Sequence, residues 1–257
     1  MNIDYVPAQI VRAARMLLGL RVGSPGPFRE AVRDKVGLEI GGPSSAFSDR
    51  GILPLYNYVA RVDNCVYAHQ TGWGSHHEES WTFRCHEAKP VGFQFIREAT
   101  LLSGIADSSY DFVLSCHCLE HIANPAKAVR EWSRVVRPGG ALIIVLPHGK
   151  YTFDRRRQVT PVSHMLEDYE RGTGEDDETH LPEILELHDL ALHPEPINHE
   201  QLRVGILDNF RFRYAHHHVF DEGNSCGLLE ACGLCVGSVQ VIRPHHMVLL
   251  ANKPAAS

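Results

Sequence analysis

Long apolar runs are missing from this chain: no stretch approaches the roughly 20 residues that a membrane-crossing helix needs. That excludes stable insertion into a membrane through a helix. Positive charge is also scarce. Lys and Arg total 25 against 31 Asp and Glu, a net charge of −6. A broad nucleic-acid footprint is excluded, because neutralising phosphates takes a surplus of cations. Neither GxGxxG nor GK[ST] occurs, so the usual dinucleotide fingerprint and phosphate loop are lacking. Seven cysteines hold one CxxC, Cys232 to Cys235, with no second pair at the spacing of a zinc knuckle. They read as structural thiols, and a cytoplasmic, reducing location is expected. A signal-peptide core with a small-residue cleavage site is absent from the N-terminus.

What the chain does have is alternation. The runs at 36–42, 58–64, 91–96, 110–116 and 141–147 are short and apolar and stop at turn residues, as buried strands do. Between the last two, residues 125–140 place apolar side chains at 128, 129, 132, 135 and 136. That is helical spacing, with Pro125 in the first turn and Pro138-Gly139-Gly140 as the stop. A helix end at CGLLEACG precedes two more strands, 234–242 and 245–253. Strands alternating with helices predict a Rossmann-like α/β fold: a seven-stranded, mostly parallel sheet with helices on both faces and an antiparallel terminal strand.

The 257 residues suit one domain. Residues 1–35 read as a helical extension, with an amphipathic helix over 6–20. Residues 148–225 break the rhythm. Nearly 80 residues stand where a simple α/β unit needs about 10–20. They contain helical stretches at 161–171 and 181–190, an acidic loop at 172–178 and an extended stretch at 211–220. We read them as an insertion forming a lid on the acceptor side. Arg155 to Arg157 are expected to pair with the acidic loop.

Chemistry gathers at the carboxyl ends of the strands, where open α/β sheets bind ligands. Glu39-Ile40-Gly41-Gly42-Pro43 ends the first strand, and its glycines let a ligand approach the backbone. Asp63 ends the second, where an acid can accept both hydroxyls of a ribose.

These residues, with "IADSSYDFVLSCHCLEHIANPAKAVREWSRVVRPGGALIIVLP", resemble the class I S-adenosylmethionine-dependent methyltransferases over 36–147 and 234–253. The resemblance implies S-adenosylmethionine as cofactor. It puts Glu39, Gly41, Gly42 and Pro43 on the methionine side, Asp63 on the ribose and Ala99 and Thr100 near the adenine. Cys116 and His117 would close over it. The acid usual at position 99 is absent, although Glu98 adjoins it. The segments LPH…TFDRRR and HHHVFD resemble polysaccharide O-methyltransferases, including those of the mycobacterial methylmannose polysaccharides. That implies a carbohydrate or other hydroxyl-bearing acceptor.

A sugar hydroxyl is a poor nucleophile at neutral pH, so a general base or a divalent metal such as Mg²⁺ is expected to help. His148, directly after the fifth strand, is the candidate base, and Asp154 would orient it or bind metal. Glu120 and His121 follow the fourth strand. His164 and Asp168 share a helix face at i,i+4, and His216 and His218 share one face of an extended segment. Glu120, His121, His164 and His218 are the candidate metal ligands. A small-molecule or lipid acceptor, a homodimer, a nicotinamide-dependent oxidoreductase and a catalytically silent methyltransferase-like subunit stay open at this point.

Overall fold

The computed structural model describes residues 20–71 and 76–256. Apart from Leu20, the amphipathic helix expected over 6–20 lies outside the described residues. The chain enters through α1 (Gly26–Val32) and continues as β1 (Val36–Ile40), β2 (Arg61–Val66), β3 (Ser80–Phe83), β4 (Gly92–Ile96) and β5 (Tyr110–Cys116). Then come α2 (Pro125–Val135) and β6 (Val136–Pro147). The excursion after β6 holds α3 (Val162–Arg171), α4 (Leu181–Leu187), α5 (His199–Leu207) and α6 (Asn209–Phe212). α7 (Glu222–Ala231), β7 (Cys235–Ile242) and β8 (His246–Asn252) close the chain.

The sheet has eight strands, ordered β3-β4-β2-β1-β5-β6-β8-β7. β4, β2, β1, β5 and β6 pair in parallel. β8 runs antiparallel to both β6 and β7. The sequence expectation of seven strands misses β3, which pairs antiparallel with β4 at the sheet edge. Its four residues, Ser-Trp-Thr-Phe, bury only Phe83, so no apolar run marks it.

Both faces are covered, which explains why the central strands read as unbroken apolar runs. Alternate side chains of β6 go to opposite sides. Leu142, Ile144 and Leu146 join Trp132 and Val129 of α2, Met165 of α3 and Leu228 of α7. Ile143 and Val145 join Phe28 and Val32 of α1 with Phe47, Leu53 and Tyr56. Asn124 caps α2, its side chain accepting from the Lys127 N–H, and Pro125 fills the first turn. The helix ends at Val135 rather than at the Pro-Gly-Gly: Tyr110 already pairs with Val136, before a register shift brings Phe112 opposite Ala141.

The excursion is held in two ways. α3 reaches the main core through Met165. α4 and α5 build a small core of their own from Leu181, Ile184, Leu202 and Ile206 with Ala215. The extended stretch expected over 211–220 begins as α6 and becomes irregular from Arg213.

Candidate active site

A cleft of about 290 Å³ opens over the carboxyl ends of β1, β2, β4 and β5. Its floor is the turn after β1. Gly41 sits at φ +80, in the left-handed region that glycine adopts without strain. Its N–H donates to the Cys65 carbonyl at 2.9 Å. The Asn64 amide holds the next residue on both sides, accepting from the Gly42 N–H (2.9 Å) and donating to the Gly42 carbonyl (3.0 Å). Asn64 also donates to Gln94 Oε1 at 2.9 Å. This buried amide ladder ties β2, β4 and the turn together.

Glu39 lies beneath the turn and is fully buried. Its carboxyl accepts from the Tyr56 hydroxyl (2.8 and 2.9 Å) and the Ser44 N–H (3.0 Å). Burial pushes its pKa up to about 7, against the pull of those two donors. A Cβ at position 42 would stand 2.3 Å from the Glu39 carboxyl carbon, so glycine there is a steric requirement. The structure brings Gly41, Gly42, Pro43, Ala99 and His117 to the cleft wall. Glu39, Thr100 and Cys116 are not part of that wall; Glu39 supports it from below, and burial pushes the Cys116 thiol up to about 12.

Asp63 needs a correction. It pairs with Leu38 in the register of β1 and β2, three residues before the strand ends at Val66. Its carboxylate accepts from the Phe93 N–H (2.9 Å), the Tyr110 hydroxyl (2.9 Å) and Arg61 Nε (3.1 Å). It is therefore an internal clasp among β2, β4 and β5, and Tyr67 takes the cleft position after β2.

The wall also contains four charged residues, Arg97, Glu98, Glu175 and Arg213, of which the sequence singled out only Glu98, beside the adenine positions. Arg213 pairs with Glu98 at 2.8 Å and with Glu175, and its guanidinium lies over two rings, 5.2 Å from that of Tyr67 and 5.4 Å from that of Phe210. Burial raises Glu175 to about 7 although Arg213 opposes it. The acidic loop thus pairs with Arg213, whereas Arg155 and Arg156 reach Asp189, and Arg157 reaches Asp154 and Glu183. The charges were legible; the partner, some 40 residues away, had no local signal.

At one rim stands Glu120, fully buried, with neither oxygen accepting a hydrogen bond. His117 Nδ1 lies 3.2 Å from Oε1, and His121 Nε2 lies 3.9 Å from it. One ligand atom each from Glu120, His121 and His216 falls within 4.8 Å of the others. His121 Nδ1 is 3.2 Å from the Ala215 carbonyl, and His216 Nδ1 is 2.6 Å from Asp154 Oδ2. Burial pushes His121 down to about 4. Burial also pulls His216 down, but the Asp154 carboxylate outweighs it and leaves its pKa raised. Asp154 is itself held by Arg157 at 2.8 Å.

His148 does not face this rim. Its Nε2 pairs with Glu222 of α7 at 3.0 Å and its Nδ1 accepts from the Lys150 N–H at 3.3 Å. Asp154 orients His216, not His148. The four candidate metal ligands fall into two groups: Glu120 and His121 join His216, while His164 and His218 join His180. His216 and His218 do not share a face, because 213–220 is not a regular strand.

Residues 44–144 match the profile of a methyltransferase domain, from the turn after β1 into β6. Among solved structures, the chain is similar to an S-adenosylmethionine-dependent methyltransferase from Methanosarcina mazei, at 16% identity and TM-score 0.50, covering 90% of this chain and 98% of that one. It is also similar to the 1,6-didemethyltoxoflavin N1-methyltransferase of Burkholderia thailandensis, at 14% identity and TM-score 0.45, covering 99% and 93%. At such identity the first likeness speaks for the fold. A comparison with curated proteins finds no match. The matched domain sets aside the nicotinamide-dependent reading. With its cleft at the carboxyl edge of the parallel strands, the chain carries a methyltransferase domain over residues 44–144.

Proposed function

We propose that the enzyme methylates a hydroxyl of a sugar or oligosaccharide, at the rim where Glu120, His121 and His216 converge, with help from a divalent cation. The observation that carries this reading is Glu120. Among the described residues, buried Glu120 meets only histidine rings, His117 Nδ1 at 3.2 Å and His121 Nε2 at 3.9 Å, and a buried carboxylate is costly unless positive charge meets it. Two imidazoles, His121 and His216, lie beside it, and each has its Nδ1 occupied by a second group, as ligating histidines do. The donor set of two nitrogens and a carboxylate suits a first-row divalent ion with coordination positions left open.

S-adenosylmethionine is the methyl donor on this reading, held in the cleft. Gly41, Gly42 and Pro43 would hold the amino-acid end, Ala99 and its neighbours the adenine, and Tyr67 and Glu98 the polar groups between. The cofactor supplies, when bound, a methyl group on a positively charged sulfur. A cation held by Glu120, His121 and His216 would lower the pKa of an acceptor hydroxyl. His117 is the base on this reading. Its ring lines the cleft, and Nε2 stands 2.8 Å from His246 Nδ1. The hydroxyl proton would pass to His117 Nε2, and Glu120 Oε1, 3.2 Å from Nδ1, would meet the charge gained. The acceptor oxygen, freed of its proton, would take that methyl group, and the sulfur would keep the carbon–sulfur electron pair.

The test is labelled-methyl transfer to a panel of mono- and oligosaccharides, with and without chelator, alongside calorimetry of S-adenosylhomocysteine. Methylated sugar that disappears with chelator and returns with Mg²⁺ or Mn²⁺ supports the reading. Activity indifferent to chelator removes the cation, and methylation confined to amines or carboxylates removes the hydroxyl acceptor.

A further inference from the structure

A second group of histidines lies away from the cleft. His164 is in the first turn of α3, His180 immediately precedes α4, and His218 belongs to the irregular stretch before α7. None of the three lines the cleft. One ring nitrogen of each lies within 4.8 Å of the other two. His164 Nε2 and His180 Nε2 stand 3.1 Å apart. Asp168, one helical turn after His164, places Oδ2 at 3.6 Å from His164 Nε2 and also 3.6 Å from His218 Nε2.

Three features distinguish this from a chance cluster. Asp168 Oδ2 is buried and accepts no hydrogen bond, while Oδ1 accepts from the Thr173 hydroxyl at 3.1 Å. One oxygen is thus positioned and the other is bare. His218, 1% exposed, has Nε2 at 3.2 Å from the Ala123 carbonyl and Nδ1 without a partner. A ring with one nitrogen on a carbonyl and the other bare is the usual state of a metal-ligating histidine. The spacings also match an ion. Four ligands at about 2.0–2.1 Å around tetrahedral zinc lie about 3.3 Å from one another. The separations of 3.1 Å between His164 and His180 and 3.6 Å between His164 and Asp168 bracket that edge, and His218, with Nε2 on the carbonyl, offers Nδ1.

We propose that His164, His180 and His218, with the Asp168 carboxylate beside them, form a structural site for Zn²⁺ or a similar imidazole-preferring first-row ion, distinct from the site at the cleft rim. Lying away from the cleft, the ion is placed as a structural and not a catalytic one. The site crosslinks α3, the start of α4 and the stretch 216–218. Those segments are far apart in sequence and, among the described residues, are otherwise joined here by histidine ring contacts and the Asp168 pairs. Because His216 is two residues from His218, a cation here also fixes where His216 meets Glu120. The site stands independently of the acceptor chemistry.

The experiment uses the full chain without a histidine tag, stripped with chelator and titrated with Co²⁺, then with Zn²⁺. The expected result is one equivalent of Co²⁺ with the intense visible absorption of a tetrahedral site, displaced by Zn²⁺, and a melting temperature raised by Zn²⁺. His180→Ala should lose both effects. Thr173→Val, which leaves every ligand in place, should weaken Zn²⁺ binding about 10–100-fold. Glu120→Gln should keep the tetrahedral band, which separates this site from the rim. No band in the unaltered protein, a band that survives both His180→Ala and Thr173→Val, or one lost in Glu120→Gln overturns the proposal.

Discussion

The sheet and the excursion after β6 bury polar groups in opposite manners. In the sheet, Asp63, Asn64 and Gln94 are as buried as their apolar neighbours, and each is bonded to named donors or acceptors on adjoining strands. Where the excursion meets the sheet, Glu120, Asp168 and His218 are buried with atoms that make no hydrogen bond, and the two carboxylates face histidine rings instead. Satisfied polar groups in a core fix register; unsatisfied ones are costly and persist where something else meets them. The contrast teaches where to look for ligands: at the seam between the two regions and not within the sheet, however acidic its strands.

The largest expected break in this contrast comes from the seam. Glu120→Gln keeps shape and removes charge, and should cut turnover about 10²–10⁴-fold, the range for loss of a catalytic proton-transfer or charge-stabilising group. S-adenosylhomocysteine affinity should stay within about threefold. Steady-state rates with calorimetry on the same preparation decide this, and a rate near that of the unaltered enzyme would remove Glu120 from the site.

Glu39 comes next, as the sheet-side acid whose charge is costly. Its folded pKa of about 7 stands above the ordinary 4.5, so folding favours the protonated form. The stability this contributes is fully present below about pH 4.5 and is lost as pH rises through about 7. The shift corresponds to roughly 3 kcal/mol. Urea unfolding from pH 4.5 to 8 should show that decline, and Glu39→Gln should flatten it. Glu175, raised in the same direction, would leave a residual slope.

Asp63→Ala tests the sheet's satisfied network. Losing an acceptor for Phe93, Tyr110 and Arg61 should destabilise the fold by about 2 kcal/mol, with cofactor affinity of the folded protein unchanged. A tenfold loss of affinity at unaltered stability would return Asp63 to the ribose.

The smallest effect should come from His148→Ala. With both ring nitrogens engaged outside the cleft, turnover should stay within about threefold. A drop of the general-base size, about 10²-fold or more, would show that His148 turns toward the acceptor.

The sequence located the parallel strands because burial on both faces makes them continuous apolar runs. β3 was invisible because an edge strand of four residues with one buried side chain has no period to count. Asp63 was misplaced for a specific reason. The polar pair Asp63-Asn64 looks like a strand end, yet the strand continues through Cys65 and Val66, and Asn64 is inside to hold the turn at Gly42. The histidines were conspicuous in type but not in grouping. Three consecutive ones, His216 to His218, diverge to Asp154, Asn209 and the Ala123 carbonyl, and no periodicity encodes that. Arg213 shows the same limit: its Glu98 and Glu175 partners are set by tertiary structure.

The amide ladder from Gly42 through Asn64 to Gln94 carries a consequence for how the protein becomes competent. It exists only when the turn after β1, β2 and β4 are aligned together, and parallel pairings of this kind close long loops before any contact repays them. The helices, built from local contacts, can form sooner. A chain with its helices in place but this ladder unmade has no floor under the cleft. Recovery of S-adenosylhomocysteine binding after dilution from denaturant should therefore lag recovery of helical signal, making the cofactor a reporter of the last stage of assembly.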